Sequence, residues 1–200
     1  MAGPEVFAGL YEGLVLASTS QARKRLLSTL GVPFRVVDPE VNEHVPAEMP
    51  VRQAVATLAE RKARAVYRKH ANCLVIGSDQ MVAFEGKALG KPPDAATAMA
   101  QLSAMAGKSH EVVTGVCVIG PGFLECEVDV AKLTVAPLEA KQLERYVETG
   151  EWRGCAGGYR VEGRGQALFS EIVGDRTGIE GLPMALLVRL LREAQVQFFA

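Results

Sequence analysis

The chain has 200 residues, of which 48% are hydrophobic and 22% charged, with a formal net charge of -1. This balance predicts a soluble globular protein with a sizeable core and excludes a nucleic-acid binder that relies on a broad basic surface. Residues 1–12 lack the cationic start and apolar stretch of a signal peptide, and no apolar run reaches membrane-spanning length, so a cytoplasmic location without membrane contact is expected.

Residues 1–12 read as a loose N-terminal extension, and 13–200 as one domain, since no Pro/Ser-rich linker or charge block divides them. The apolar run Gly13–Ala17 predicts a buried strand, and Gln21–Leu30 an amphipathic helix stopped by Gly31. Between them, Ala17-Ser-Thr-Ser-Gln-Ala-Arg23 gathers hydroxyls, free backbone N–H groups and a guanidinium at a helix start. Ser18, Ser20 and Arg23 there suit a phosphate, although a Ser before a helix is also an ordinary N-cap. Phe34–Val37 alternates as a second strand. The polar loop Asp38–His44 follows, carrying Glu40 and Glu43.

Pro50 opens a long helix whose apolar face runs through Val51, Ala54, Val55, Leu58 and Val66; Lys62 falls at the edge of that face, a position where lysines commonly snorkel. Cys73–Gly77 reads as a central strand covered on both faces, with Ser78-Asp79-Gln80 at its carboxyl end and apolar residues resuming at Met81. Ligands of open α/β sheets gather at such ends, so Asp79 is the leading candidate for chemistry; the competing reading is an Asp that caps a turn. Glu85-Gly86 predicts a tight turn and Lys87–Gly90 a returning arm, followed by Lys91-Pro-Pro-Asp94, with Asp94 capping a helix over about 95–105.

A second hairpin is predicted from Ser109–Ile119 and Phe123–Val135, then a helix over Leu138–Glu148. Five glycines crowd Trp152–Gly165 around Tyr159, Arg160, Glu162 and Arg164, a composition that lets backbone approach a ligand or simply flex. Ala167–Ile172 predicts a strand, and Pro183 the start of a last helix through about Ala194. Cys73, Cys117, Cys126 and Cys155 form no C-x-x-C pair, so buried free thiols are expected in preference to disulfides or zinc. The mixture of crossovers and hairpins predicts an α/β domain with a mixed, partly antiparallel, twisted sheet flanked by helices. Neither a P-loop nor a G-x-G-x-x-G follows a strand, which disfavours the standard nucleotide folds.

The candidate residues make one coherent set. Ser18, Ser20 and Arg23 could hold phosphate oxygens, Lys62 and Lys91 could add positive charge, and Glu43 and Asp79 supply carboxylates for a divalent cation or a base. Phosphoanhydride cleavage needs this combination, and magnesium suits such oxygen ligands better than zinc.

In order and spacing the chain resembles the Maf family of nucleoside triphosphate pyrophosphatases. The resemblance rests on Leu16-Ala-Ser-Thr-Ser-Gln-Ala-Arg23, Gly77-Ser-Asp-Gln80, Leu89-Gly-Lys-Pro92, Ser109-His-Glu-Val-Val-Thr-Gly115, Tyr146-Val-Glu-Thr-Gly-Glu151, Ala156-Gly-Gly-Tyr159 with Glu162-Gly163, and Gly181-Leu-Pro183. It implies the Maf/ITPase-like fold, cleavage between the α and β phosphates, a divalent metal (magnesium, with manganese as an alternative) and a homodimer. It also implies that Asp79 is the proton acceptor, that Asp79 and Glu43 are the metal-binding carboxylates, and that Ser18, Ser20, Arg23, Lys62 and Lys91 bind the phosphates. Three specificity positions fall on Ala22, Gln80 and Glu162. Gln80 and Glu162 are similar to the branch that hydrolyses 7-methyl-GTP, whereas the dTTP/UTP branch usually has Thr and Gln there. Ala22 departs from both branches and leaves stacking on the base to a residue such as Trp152 or Tyr159. The alternatives implied are the same reaction on dTTP/UTP and modified pyrimidine nucleotides, or a nucleotide-binding regulator of cell division with little turnover.

Overall fold

The apolar runs near the start and middle of the chain lie side by side in one seven-stranded sheet. A computed structural model describes residues 4–199. The strands are β1 (Leu14–Ala17), β2 (Phe34–Val37), β3 (Leu74–Phe84), β4 (Lys87–Leu89), β5 (Ser109–Gly120), β6 (Phe123–Val135) and β7 (Phe169–Val173). Their order is β2-β1-β3-β5-β6-β7, with β4 added to β3. Helix α1 (Gln21–Ser28) carries the chain from β1 to β2, and α2 (Val51–Tyr67) from β2 to β3; these crossovers return the chain to the same end of the sheet, so β1 is parallel to both β2 and β3. All later pairings are antiparallel. Helices α3 (Ala95–Met105), α4 (Ala140–Glu148), α5 (Arg176–Ile179) and α6 (Met184–Glu193) complete the chain. The mixed α/β sheet expected from the sequence is therefore the one observed.

Strand alternation divides the core. Leu14, Leu16, Leu74, Ile76, Val116 and Val118 point to one face, where α6 packs Leu187, Leu190 and Leu191. Val15, Ala17, Val75 and Cys117 point to the other, against Ala59, Ala63 and Val66 of α2. A helix can sit this close to the sheet only if the strands are bare beneath it. Gly77 and Gly115 meet that need: a Cβ on Gly77 would collide with the Ala59 carbonyl and lie 2.7 Å from the Ala63 nitrogen, and one on Gly115 would collide with the Val55 carbonyl.

Several expectations are corrected. Asp79 does not stand at a strand end, because β3 runs unbroken through it. What ends there is the neighbour: β1 pairs with β3 only as far as Gly77, and β4 joins the same edge only from Val82. Residues 78–81 are thus open along one edge while β5 holds the other. The predicted free thiols hold for Cys73 and Cys155, but Cys117 and Cys126 form a disulfide. The β5–β6 register places these two directly opposite each other; a hairpin centred on 120–123 dictates that pairing, which spacing in the sequence alone conceals. In place of a loose extension, the described part of residues 1–12 packs back. Phe7 is buried in the core, and Gln197 N donates to the Val6 carbonyl at 2.8 Å. Helix α5, four residues long, is too short to leave a periodic signature. Among the described residues no helix is long and apolar enough to cross a membrane.

His110, on β5, lies in the second half of the core. Its Nε2 is 2.7 Å from the Tyr159 hydroxyl, its Nδ1 is buried without a partner, and Phe169 packs beside both rings. Burial pushes its pKa down from 6.5 to about 4. The folded state therefore holds His110 neutral where the unfolded chain would protonate it. The contribution of His110 to stability is fully present above about pH 6.5 and is lost as the pH drops toward 4, a difference of about 3 kcal/mol. Unfolding curves across this range should show His110→Gln flattening the slope; an unchanged slope would assign the acid sensitivity elsewhere.

Candidate active site

A cleft of about 950 Å³ opens where β3 lacks a partner on one edge. Its floor is Asp79, Gln80, Met81 and Val82. Its walls come from the β1–α1 turn, the 38–43 loop, α2, the β3–β4 hairpin and the Gly-rich segment 154–162.

One end is built for anions. Ser20 caps α1, its Oγ accepting from Arg23 N at 3.4 Å. Ser18 is buried, and its Oγ accepts from Ser20 N (3.1 Å) and from Arg23 Nη1 (3.4 Å), which leaves the hydroxyl hydrogen to donate into the cleft. Arg23 Nε donates to the Gly181 carbonyl at 2.9 Å, and Ser78 Oγ donates to the same oxygen at 3.1 Å. The Gly181-Leu-Pro turn, 158 residues away in the chain, thus fixes the guanidinium at the cleft. Burial lowers the Arg23 pKa from its usual value, opposed by the charges of Asp79 and Glu43. A cation that has shed part of its water interacts strongly with an incoming phosphate.

Beside this cradle, Lys62 Nζ lies 2.5 Å from Asp79 Oδ1 and 2.6 Å from Glu43 Oε1. The Lys62 and Asp79 side chains are 7% and 11% exposed, whereas Glu43 is 64% exposed, so the pair is interior and the loop carboxylate reaches it from outside. Lys62 is consequently no rim lysine. The hydrogen bond from Lys62 holds the Glu43 carboxyl below its usual range, against a smaller opposing effect of burial. Two cations (Arg23, Lys62) face two anions (Asp79, Glu43), a balanced set that the several charges of a triphosphate would upset. Lys91, exposed at the cleft wall after β4, supplies one more positive charge.

The other end is mostly apolar, with Met81 and Val82 on the floor, Leu89, Val112 and Ala156 beside them, and Glu162 and Arg160 at the rim. Tyr159 lines it, but its hydroxyl is taken by His110. The Gln80 NH2 is occupied as well: Nε2 donates to the carbonyls of Gly178 (2.6 Å) and Ile179 (3.0 Å) and to Thr114 Oγ1 (3.1 Å). Glu162 stays available, 3.9 Å from Arg160 Nε and 33% exposed. Ala22 is absent from the cleft lining, and so is Trp152, which is buried with its ring N–H on the Val147 carbonyl.

The family model described as Maf-like protein matches residues 13–194. The chain belongs to the Maf family. It is 41% identical to the dTTP/UTP pyrophosphatase of Symbiobacterium thermophilum, over 90% of this chain and 93% of that protein. It is 44% identical to the 7-methyl-GTP pyrophosphatase of Xanthomonas campestris pv. campestris, over 90% and 95%. It is 41% identical to the dTTP/UTP pyrophosphatase of Deinococcus radiodurans, over 93% and 95%.

For this Maf chain the structure brings Ser18, Ser20, Arg23, Glu43, Lys62, Asp79 and Lys91 to one cleft, with Gln80 and Glu162 further along it. Sequence reading missed Ser78, Thr114 and the carbonyls of Gly178 and Gly181, which brace that set. The Gly181-Leu-Pro motif was the available signal, but its partners lie about a hundred residues or more away in the chain.

Proposed function

We propose that this chain hydrolyses a nucleoside triphosphate between its α and β phosphates, releasing a nucleoside monophosphate and pyrophosphate. One observation carries the reading: a hydroxyl-and-guanidinium anion cradle and a buried lysine–aspartate pair share a single cleft with an apolar end. The names of the relatives support it. Ser18, Ser20 and Arg23 hold phosphate oxygens. Asp79 takes the proton of the attacking water, and Lys62, Lys91 and Arg23 balance charge as the bridging oxygen leaves with pyrophosphate.

Asp79 and Glu43 would hold a divalent cation, magnesium or manganese. Two carboxylates without His or Cys suit an ion that completes its shell with water and phosphate, and no larger group of His, Cys, Asp or Glu placed for a metal occurs among the described residues. The bound cation supplies neutralisation of phosphate charge.

For the base we favour guanine, 7-methyl-GTP included. Glu162 offers a carboxylate that accepts from the N1–H and exocyclic amine of guanine, while the Gln80 NH2 is already engaged and only its oxygen could meet the base. Hydrolysis of dTTP or UTP is the second reading, supported by the names of two relatives. Purified protein with magnesium should release pyrophosphate when offered 7-methyl-GTP, GTP, dTTP, UTP and CTP in turn, most rapidly from a guanine nucleotide. Release of single phosphate would overturn the cleavage position, and preference for dTTP or UTP would overturn the choice of base. Glu162→Gln should lower the guanine-to-uracil ratio of kcat/KM about tenfold; an unaltered ratio would remove Glu162 from base recognition.

A further inference from the structure

Glu43 belongs to a segment, residues 38–46, that has no regular secondary structure, yet its carboxylate arrives 2.6 Å from a buried ammonium. Such a segment needs something to hold its backbone, because ordering each residue costs about 1–2 kcal/mol of entropy. Asp38 and Lys69 engage Glu40 earlier in the segment; at the turn around Glu43 the backbone is held by Arg61. Its Nη1 donates to the carbonyls of Asn42 (2.5 Å) and His44 (3.0 Å), the residues on either side of Glu43. One terminal nitrogen of a guanidinium has two hydrogens, and here each finds a carbonyl. Asn42 tightens the same turn, its Oδ1 accepting from His44 N at 2.8 Å.

Arg61 and Lys62 are consecutive on α2, so their side chains leave the helix about 100° apart. One grips the loop backbone from outside, and the other takes the loop carboxylate inside. We infer that Arg61 is a positioning residue: it fixes the turn that presents Glu43 to Lys62 and Asp79 and, on the reading of function above, to the metal and phosphate end of the substrate. Arg61 does not line the cleft, and its hydrogen bonds among the described residues go to the backbone of this loop. Asn42 has the matching role. Its side chain faces its own turn, so it serves the loop's shape rather than its charge.

The test uses the full chain and compares Arg61→Ala, Arg61→Lys and Arg64→Ala with the wild type. Arg64 lies on the same helix, exposed and paired with Glu60, and its variant serves as the control. Amide hydrogen exchange at residues 40–45 should quicken in Arg61→Ala while α2 amides keep their protection. The magnesium concentration for half-maximal pyrophosphate release should rise about tenfold, as for the loss of a group that orients a ligand, with kcat at saturating magnesium close to wild type. Arg61→Lys, which keeps the charge without the planar fork, should fall between. In a Glu43→Gln background, Arg61→Ala should add no further rise, since both changes act through one carboxylate. Wild-type exchange and magnesium dependence in Arg61→Ala would overturn the inference, as would additive effects in the double variant. Should the wild type release no pyrophosphate from any nucleotide, the functional reading falls, and the exchange measurement alone decides whether Arg61 orders the loop.

Discussion

Replacing Asp79 with Asn is expected to lower kcat by about 10²–10⁴-fold, the usual loss when a positioned base is removed, while nucleotide binding persists. The geometry separates the two effects. On the proposed reading the anion cradle is Ser18, Ser20 and Arg23, whose hydrogen bonds run among themselves and to the Gly181 carbonyl and do not pass through Asp79. Asn keeps the shape but loses the charge that faces Lys62. Lys62 retains Glu43 as a partner, so the buried ammonium is not stranded and the fold should survive. Single-turnover measurements beside equilibrium binding of a slowly hydrolysed analogue would check this. Turnover close to wild type would remove Asp79 from the chemistry, and loss of binding in step with loss of turnover would make it a ligand-holding residue instead.

The second large effect lies away from the reacting groups. Gly77→Ala should destabilise the protein by about 3 kcal/mol, the upper part of the range for overpacking, which for a chain of this length lowers Tm by on the order of 10 °C. The added methyl meets backbone of Ala59 and Ala63, and backbone cannot rotate aside as a side chain can. Helix α2 must lift, and Lys62 lifts with it, so activity should fall beyond what the loss of folded protein explains. Gly13→Ala is the comparison: nothing lies within 4 Å of its Cβ position, and it should behave as wild type. Calorimetry on both variants, with activity measured well below each Tm, would decide. Equal melting temperatures would mean the helix does not depend on the bare strand beneath it.

The parts of this molecule that were legible in the sequence are those set by near neighbours. Ser20 and Asp94 announce their helices because an N-cap is a three-residue arrangement. Glu85-Gly86 announces its hairpin because both residues take positive φ. What stayed hidden depends on distant partners. Periodicity places Lys62 at the edge of a helix face, and only the approach of Asp79 and Glu43 makes that edge interior. An Asp within an apolar run looks like an interruption; β3 continues through it because β5 pairs with every residue from 75 to 83. Gln80 reads as a group free to meet a base until two carbonyls of α5 claim its NH2. The 117–126 disulfide needed a register, and the role of Arg61 needed a loop whose path no local rule supplies.

The open edge of β3 between β1 and β4 acts as a gauge. It is four residues long, about 13 Å at the rise of an extended strand, and pairings that cannot slip set both of its ends. The unbroken pairing with β5 through this stretch fixes the side that Asp79 and Met81 face. The spacing between the hydrolytic end and the apolar end is therefore a constant of the sheet. The 38–43 and 154–162 segments line the opening without setting its length, so they can change with the nucleotide while the gap stays as it is. A chain built this way can exchange its substrate while its chemistry keeps the same address.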